Sequence, residues 1–361
     1  MSDTQLTCDK VKSLLGQFKD PETGRDIVAA KQVHDLTVSD NKVSVCLGLT
    51  TFSSPLWEET RGGLAEFLQE RLGESVEVEV RTEKHERAAT KIGEVGLRAK
   101  AVVAVGSGKG GVGKSTISTT LAYGLARAGC SVGLMDADIY GPSIPHLVGT
   151  KERPTMAGER IVPVTVDGVK ILSIGMLAPP DQAVIWRGPM LHGAITQFLR
   201  DTEWGELDWL IIDMPPGTGD VALSLSQLLP LTGAVVVCTP QDVALLDAVK
   251  AISMFRKVDI DVLGMVENMS HFVCPDCGAR HELFGSGGVR QRAEELGIPF
   301  LGELPLNVRL RLQGDSGEVP SSLDDADSKP YFDAICRGLV SSLAERRRQN
   351  PLKPSLPLLG S

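Results

Sequence analysis

Two stretches of this 361-residue sequence carry side chains whose types and spacing could do chemistry. The first is Gly106-Ser-Gly-Lys-Gly-Gly-Val-Gly-Lys-Ser-Thr116, where Gly108, Gly113, Lys114 and Ser115 satisfy G-x-x-x-x-G-K-[ST]. Gly108, Gly110, Gly111 and Gly113 let the backbone N–H groups of the loop, from Val112 to Thr116 among them, wrap a chain of phosphates. Lys114 would neutralise the β and γ oxygens of ATP, and Ser115 would hold magnesium. Asp213 ends the apolar run Trp209-Leu-Ile-Ile-Asp213, the place where a strand-end carboxylate orders the metal's water shell. Lys109 adds a second charge inside the loop, either solvated or committed to phosphate. The second stretch is Cys274-Pro-Asp-Cys277-Gly, flanked by His271 and His281. Such a knuckle points both sulfurs to one side and frees backbone N–H groups to stabilise thiolates. Two thiolates fill half of a tetrahedral zinc site or of a 4Fe-4S site, each of which takes four ligands. Either His271 or His281 completes a structural zinc site within one chain, or a two-fold dimer brings two pairs around one cluster.

The elements that must position these residues follow from the apolar pattern. From Ala101 onward, short non-alternating runs are separated by helix-length segments: Ala101–Val105, Val132–Met135, Val169–Ile174, Trp209–Ile212, Ala234–Cys238, Val262–Val266 and Phe300–Leu304. Strands of this kind are buried on both faces, which predicts an α/β fold with a mostly parallel sheet and helices on both faces. The glycine-rich loop follows the first run and opens a helix to about Arg127. Residues 1–82 read as a small α+β domain, with a helix near Gln5–Gln17, strands at Val43–Leu49 and Val76–Val80, and a helix starting at Ser54-Pro55. Residues 83–98 are polar and basic with two glycines and read as a linker, 99–346 as the nucleotide domain, and 347–361 as a disordered tail after a helix at Pro330–Arg346. Cys8, Cys46, Cys130, Cys238 and Cys336 stand singly and read as reduced core thiols.

Composition limits the task. A net charge of −9 opposes nucleic-acid binding, which needs a basic face. No run reaches the length of a membrane span, and the opening ten residues lack a secretory pattern, so a cytoplasmic chain is expected. Aromatics at 4 % favour a sheet-and-helix nucleotide binder over an aromatic recognition surface.

With Lys109 in place, the loop resembles the deviant Walker A of the partition, septum-site, nitrogenase-iron-protein and arsenite-pump ATPases. That resemblance implies a homodimer in which Lys109 reaches the partner's nucleotide, Asp138 positions the attacking water and Asp136 supports the magnesium shell. It places Asn268 and the segment Pro305-Leu-Asn307 at the base. The string Asp213-Met-Pro-Pro-Gly-Thr-Gly-Asp220 reads as the second switch, with Gly217 and Gly219 letting the backbone rearrange. Together with Asp136-Ala-Asp-Ile-Tyr-Gly-Pro-Ser-Ile-Pro145, Trp186-Arg-Gly-Pro-Met190 and Phe284-Gly-Ser-Gly-Gly288, it resembles the Mrp family of iron-sulfur cluster carrier ATPases over residues 99–346. Asp20-Pro-Glu and Leu49-Thr-Thr-Phe-Ser-Ser-Pro-Leu56 resemble an iron-sulfur assembly domain, in which Ser54 stands where a cysteine is common, so no thiol function is carried to it.

The Mrp resemblance favours a 4Fe-4S cluster bridging two copies of Cys274 and Cys277, passed on to apo iron-sulfur proteins with the help of cluster assembly proteins. A redox disulfide is a third reading, but nothing here looks thioredoxin-like. The rival class is a positioning ATPase with a structural zinc knuckle, which would need a membrane-seeking or basic surface; the C-terminal Phe332, Ile335, Leu339, Val340 and Leu343 pattern with Arg346-Arg-Arg reads more simply as a packed helix with a solvated end. An enzyme acting on a small substrate has only His192 as a candidate acid or base.

Overall fold

The computed structural model describes residues 6–139, 141–177, 188–217 and 220–352. The strings Trp186–Met190 and Asp213–Asp220 therefore lie partly outside the described residues, as does the sequence from 353 onward. The chain divides into two compact units, residues 1–88 with 340–361, and residues 89–339.

The small unit contains α1 (Cys8–Leu15), β1 (Val33–Val38), β2 (Lys42–Leu49), α2 (Trp57–Leu72) and β3 (Glu77–Lys84). Its sheet runs β1-β2-β3, antiparallel then parallel. Val43, Val45, Leu47 and Leu49 alternate along β2 and pack with Val11, Leu15, Leu64 and Leu68 into one core. β1 was not expected; its half-buried alternation is too weak to read as a strand. The expected helix start at Ser54-Pro55 is a 3-10 turn, Thr51–Leu56, that feeds α2.

Two expected boundaries move. Residues 83–98 are not a free linker: β3 runs through Lys84, Ala89 and Val95 are buried, and β4 (Lys91–Ile92) pairs with the start of the next strand. The tail after Arg346 is ordered as far as it is described. Arg347 is only 5 % exposed, its guanidinium donates to the Glu22 carbonyl and lies 4.7 Å from the centroid of the Phe52 ring, and Leu352 N–H donates to Thr23. Burial pushes the Arg347 guanidinium down to about 10. Beneath it, Arg87 meets Asp20 at 2.9 Å and Glu22 at 3.3 Å. Burial opposes ionisation of Asp20, and the Arg87 charge with hydrogen bonds from Thr23 and Gln32 outweighs it, holding the carboxyl below its usual range. Cys8 is exposed, not a core thiol; Cys46, Cys130, Cys238 and Cys336 are buried.

The large unit continues with β5 (Leu97–Gly106), α3 (Lys114–Arg127), β6 (Val132–Asp136), α4 (Ile144–Leu147), the short β7 (Thr155–Ala157), β8 (Arg160–Val162) and β9 (Val164–Val166), then β10 (Val169–Ser173), α5 (Gly188–Arg200), β11 (Leu207–Asp213), α6 (Asp220–Leu228), β12 (Gly233–Cys238) and α7 (Asp242–Lys257). It closes with β13 (Val262–Val273), β14 (Arg280–His281), α8 (Gly288–Leu296), β15 (Phe300–Leu306), α9 (Val308–Ser316), α10 (Val319–Ser322) and the first half of α11 (Lys329–Gln349). Among the described residues the sheet follows the order β14-β13-β12-β5-β11-β6-β10-β9, with β15 on β13 and β4 on β5. From β15 and β13 through β12, β5, β11 and β6 to β10 the pairs are parallel. Val102 to Val105 have no exposed surface, the signature of a strand covered on both faces. Each strand predicted in this unit is present and longer than its apolar run, β13 by seven residues past Val266, except β10, which stops at Ser173 where a 3-10 turn takes over at Ile174. Because the strands are parallel, their carboxyl ends share one edge, where ligands of open α/β sheets sit. Gly106, Asp136 and Asp213 end β5, β6 and β11 there, Asp213 directly opposite Asp136.

Candidate functional site

The glycine-rich loop links β5 to α3 with no room for side chains on its inner side. A Cβ on Gly108 would lie 2.1 Å from the α7 backbone at Asp247. Gly113 caps α3 at φ +79°, a left-handed conformation that favours glycine, and a Cβ there would meet the Asn268 amide at 2.0 Å. Ser107 Oγ donates to the Lys109 carbonyl, and Gly217 N–H donates to the Ser107 carbonyl, tying the second switch string to the loop. The loop N–H groups from Gly110 to Ser115, together with Thr116, thus stand at the positive end of α3.

Behind the loop lies a cage of hard oxygen donors. Ser115 Oγ donates to Asp213 at 2.7 Å, Lys114 Nζ is 2.8 Å from Asp213 and 3.6 Å from Asp138, and all but Ser115 are buried. Asp136 has no exposed surface and accepts the N–H groups of Asp138 and Ile144. Burial and the neighbouring Asp213 charge push the Asp136 carboxyl up to about 7. Asp136 and Asp213 with the Ser115 hydroxyl are hard oxygen donors, of the kind magnesium takes. The sequence-read residues Lys114, Ser115, Asp136, Asp138 and Asp213 are therefore together in one place.

Three further residues were missed. Ser118, three residues after Ser115 on the same helix face, donates to the other Asp213 oxygen at 2.6 Å. Ser173 ends β10 as Asp213 ends β11, and its hydroxyl donates to Asp136 at 2.9 Å. Glu267, buried in β13, accepts the N–H of Val289 at 2.9 Å, and burial pushes its carboxyl upward. The available signal was a polar residue at the end of a strand for Ser173, and one directly after the apolar run Val262–Val266 for Glu267. Asn268 is held against the loop, its amide donating to the Val112 carbonyl at 2.8 Å. Asn307 instead caps α9 and lines a different groove, beside Cys274. His192 is an ordinary residue of α5 whose carbonyl accepts the Thr196 hydroxyl.

The cysteines occupy a hairpin loop between β13 and β14. Cys274 N–H donates to the Ala279 carbonyl and Gly278 N–H to the Cys274 carbonyl, so the chain turns tightly and both thiols face outward, Cys274 half-buried and Cys277 exposed. The backbone N–H groups of Cys277 and Asp276, then the Cys277 thiol, point at Cys274 Sγ and hold it below the ordinary thiol range. Neither flanking histidine joins them. His271 is 2 % exposed and contacts Ser270, while His281 lies 6.4 Å, ring to ring, from Phe272. Among the described residues no group of three or more His, Cys, Asp or Glu side chains is gathered for a metal ion. One chain supplies two sulfurs. No helix among the described residues is long and apolar enough to cross a membrane.

A strand, a glycine-rich loop, a helix and a carboxylate cage at the carboxyl edge of a parallel sheet define a P-loop NTPase. Residues 98–340 match the NUBPL iron-transfer P-loop NTPase family, and residues 9–80 match a family described as iron-sulfur cluster assembly protein. The chain belongs to the NUBPL-type iron-transfer P-loop NTPases. It is 44 % identical over 355 residues to the iron-sulfur cluster carrier protein of Deinococcus radiodurans, covering 97 % of this chain and 99 % of the relative. It is 41 % identical over 340 residues to the protein of that name in Escherichia coli K12, covering 92 % and 90 %. Among solved structures, a nucleotide-binding protein from Archaeoglobus fulgidus in complex with ADP is similar at 42 % identity and a TM-score of 0.55, over 62 % of this chain and 88 % of that one.

Proposed function

We propose that this chain is a carrier that binds an iron-sulfur cluster as cargo between two copies of itself, hands it to apoproteins, and uses ATP to control the transfer. The observation that carries this reading is the pairing, within one unit, of a P-loop cage with a hairpin that offers two outward thiols and, among the described residues, no third ligand. Four thiolates from two chains match a 4Fe-4S cluster. The names of the relatives support the cargo, and a cluster held by two ligands per chain on an exposed loop is suited to release.

For hydrolysis, the loop N–H groups and Lys114 bind the phosphates, and Ser115 with Asp213 and Asp136 would hold magnesium. The ion would neutralise charge on the β and γ oxygens. Asp138 orients a water for in-line attack on the γ phosphorus; the new P–O bond forms as the bond to the ADP oxygen breaks, and the water's proton passes to the Asp138 carboxylate. Lys109 reaches across the dimer as a cation in trans. The homodimer is supported by Val243 and Leu246, 66 % and 60 % exposed on α7, the helix against which Gly108 packs.

Anaerobic reconstitution with iron and sulfide tests the cargo. The wild type should take up iron with visible absorbance, and a Cys274→Ala/Cys277→Ala variant should take up neither. An equally iron-loaded variant, or zinc alone in the wild type, would remove the assignment.

A further inference from the structure

The strand that ends in the cysteine hairpin touches the phosphate loop six residues earlier. Asn268 is 6 % exposed, and both ends of its amide are used: Nδ2 donates to the Val112 carbonyl at 2.8 Å, and Oδ1 accepts the N–H of Met269 at 3.0 Å. The fit leaves no slack, since a Cβ on Gly113 would fall 2.0 Å from that Nδ2. Met269 sits at φ +57°, a conformation that non-glycine residues rarely adopt and hold only when their surroundings impose it. Just beyond it the pairing with β15 slips. Asn268 opposes Leu304 and Phe272 opposes Leu306, so four steps along β13 face two along β15. Past this bulge a groove of about 460 Å³, lined by Phe272, Cys274, Pro305, Asn307 and Tyr331, opens beside the hairpin.

We infer that Asn268 is a positioning residue that relays occupancy of the phosphate loop to Cys274 and Cys277, with Met269 as the pivot. The inference rests on the reading of the loop as the nucleotide site and of the hairpin as the cargo site. Phosphates draw the loop N–H groups toward themselves and turn the Val112–Gly113 peptide. The buried Asn268 amide follows its acceptor, because leaving a buried donor unpaired costs more than moving with it. Its other end then pulls on Met269, which is held in a sparsely populated basin and has the common backbone basins to fall into. The bulge lacks the ladder hydrogen bonds that would resist, and the groove gives the hairpin room. Nothing in this path needs the second switch string, so the hairpin has its own connection to the nucleotide.

Thiol reactivity reads the relay without any cluster present. In the full-length metal-free chain, the rate of Cys274 alkylation by iodoacetamide is followed by peptide mass spectrometry without nucleotide, with MgADP and with a magnesium complex of a non-hydrolysable ATP analogue. Saturation is established by titration for every variant, and the exposed Cys8 of the small unit serves as reference. The wild-type rate should change about fivefold or more with nucleotide, the lower range of ordinary site-to-site coupling. Asn268→Asp keeps the acceptor for Met269 and loses the donor to Val112; Met269→Gly frees the pivot. Each should bring the nucleotide effect to within about twofold of none. If Asn268→Asp fails to bind nucleotide, Met269→Gly decides alone. A wild-type rate indifferent to nucleotide, or a Met269→Gly chain that responds in full, overturns the relay. Neither result touches iron uptake, which the reconstitution above tests separately.

Discussion

The nucleotide cage and the cysteine hairpin are built in opposite ways from the same sheet. In the cage, Asp136 and Asp213 have no exposed surface, and their donors are Ser115 and Ser118 in the first turns of α3, Ser173 at the end of β10, and the N–H groups of Asp138 and Ile144. In the hairpin, the two thiols face outward and are oriented only by their own turn. The cage gathers its side chains within one chain; the hairpin supplies two thiols, and in the proposed carrier a second copy supplies the other two, as it supplies Lys109 to the cage.

Removing Lys109, the charge proposed to act across the dimer, should have the largest effect. Lys109→Ala is expected to slow ATP hydrolysis by about a thousandfold, the scale of a cation supplied in trans, while the reconstituted chain still takes up iron. Hydrolysis at the wild-type rate would contradict the dimeric cage. Next, Ser118→Ala removes one of the donors to a buried carboxylate and should destabilise the large unit by about 1–3 kcal/mol in urea titrations, because Asp213 cannot recruit water in exchange. A loss below about half a kilocalorie per mole would mean the cage is looser than its hydrogen bonds indicate.

Titration separates the two regions as well. The folded Asp136 carboxyl lies at about 7, above its unfolded range, so its contribution to stability is complete below about pH 4 and is lost as pH rises through 7. Magnesium-free protein should therefore melt at a lower temperature at pH 8 than at pH 5.5, and magnesium at pH 8 should recover part of the difference. Asp136→Asn should flatten this dependence in thermal melts, and an unchanged slope would assign it elsewhere. The smallest effect belongs to the hairpin: Asp276→Asn, on a loop that holds its thiols through backbone N–H groups, should change stability by less than about half a kilocalorie per mole.

How much of this was legible in the sequence depends on whether the cause was local. The phosphate loop, the parallel strands and the C-x-x-C turn are specified by neighbours in the chain, and each lies where its spacing placed it. Arg347 was not legible. In a run of three arginines it looked like a solvated helix end, yet it is buried against Glu22 and Phe52, partners some three hundred residues away. The boundaries at 83–98 and 347 failed for the same reason, since polar sequence is ordered there by tertiary pairing. Ser118 and Ser173 are ordinary serines whose roles come only from the carboxylates that folding sets beside them.

Half a ligand set per chain is most directly tested by counting. Native mass spectrometry of the anaerobically reconstituted protein should show a dimer carrying one 4Fe-4S cluster, with the Cys274→Ala/Cys277→Ala chain carrying none. A cluster or a zinc ion bound to each separate monomer would contradict it.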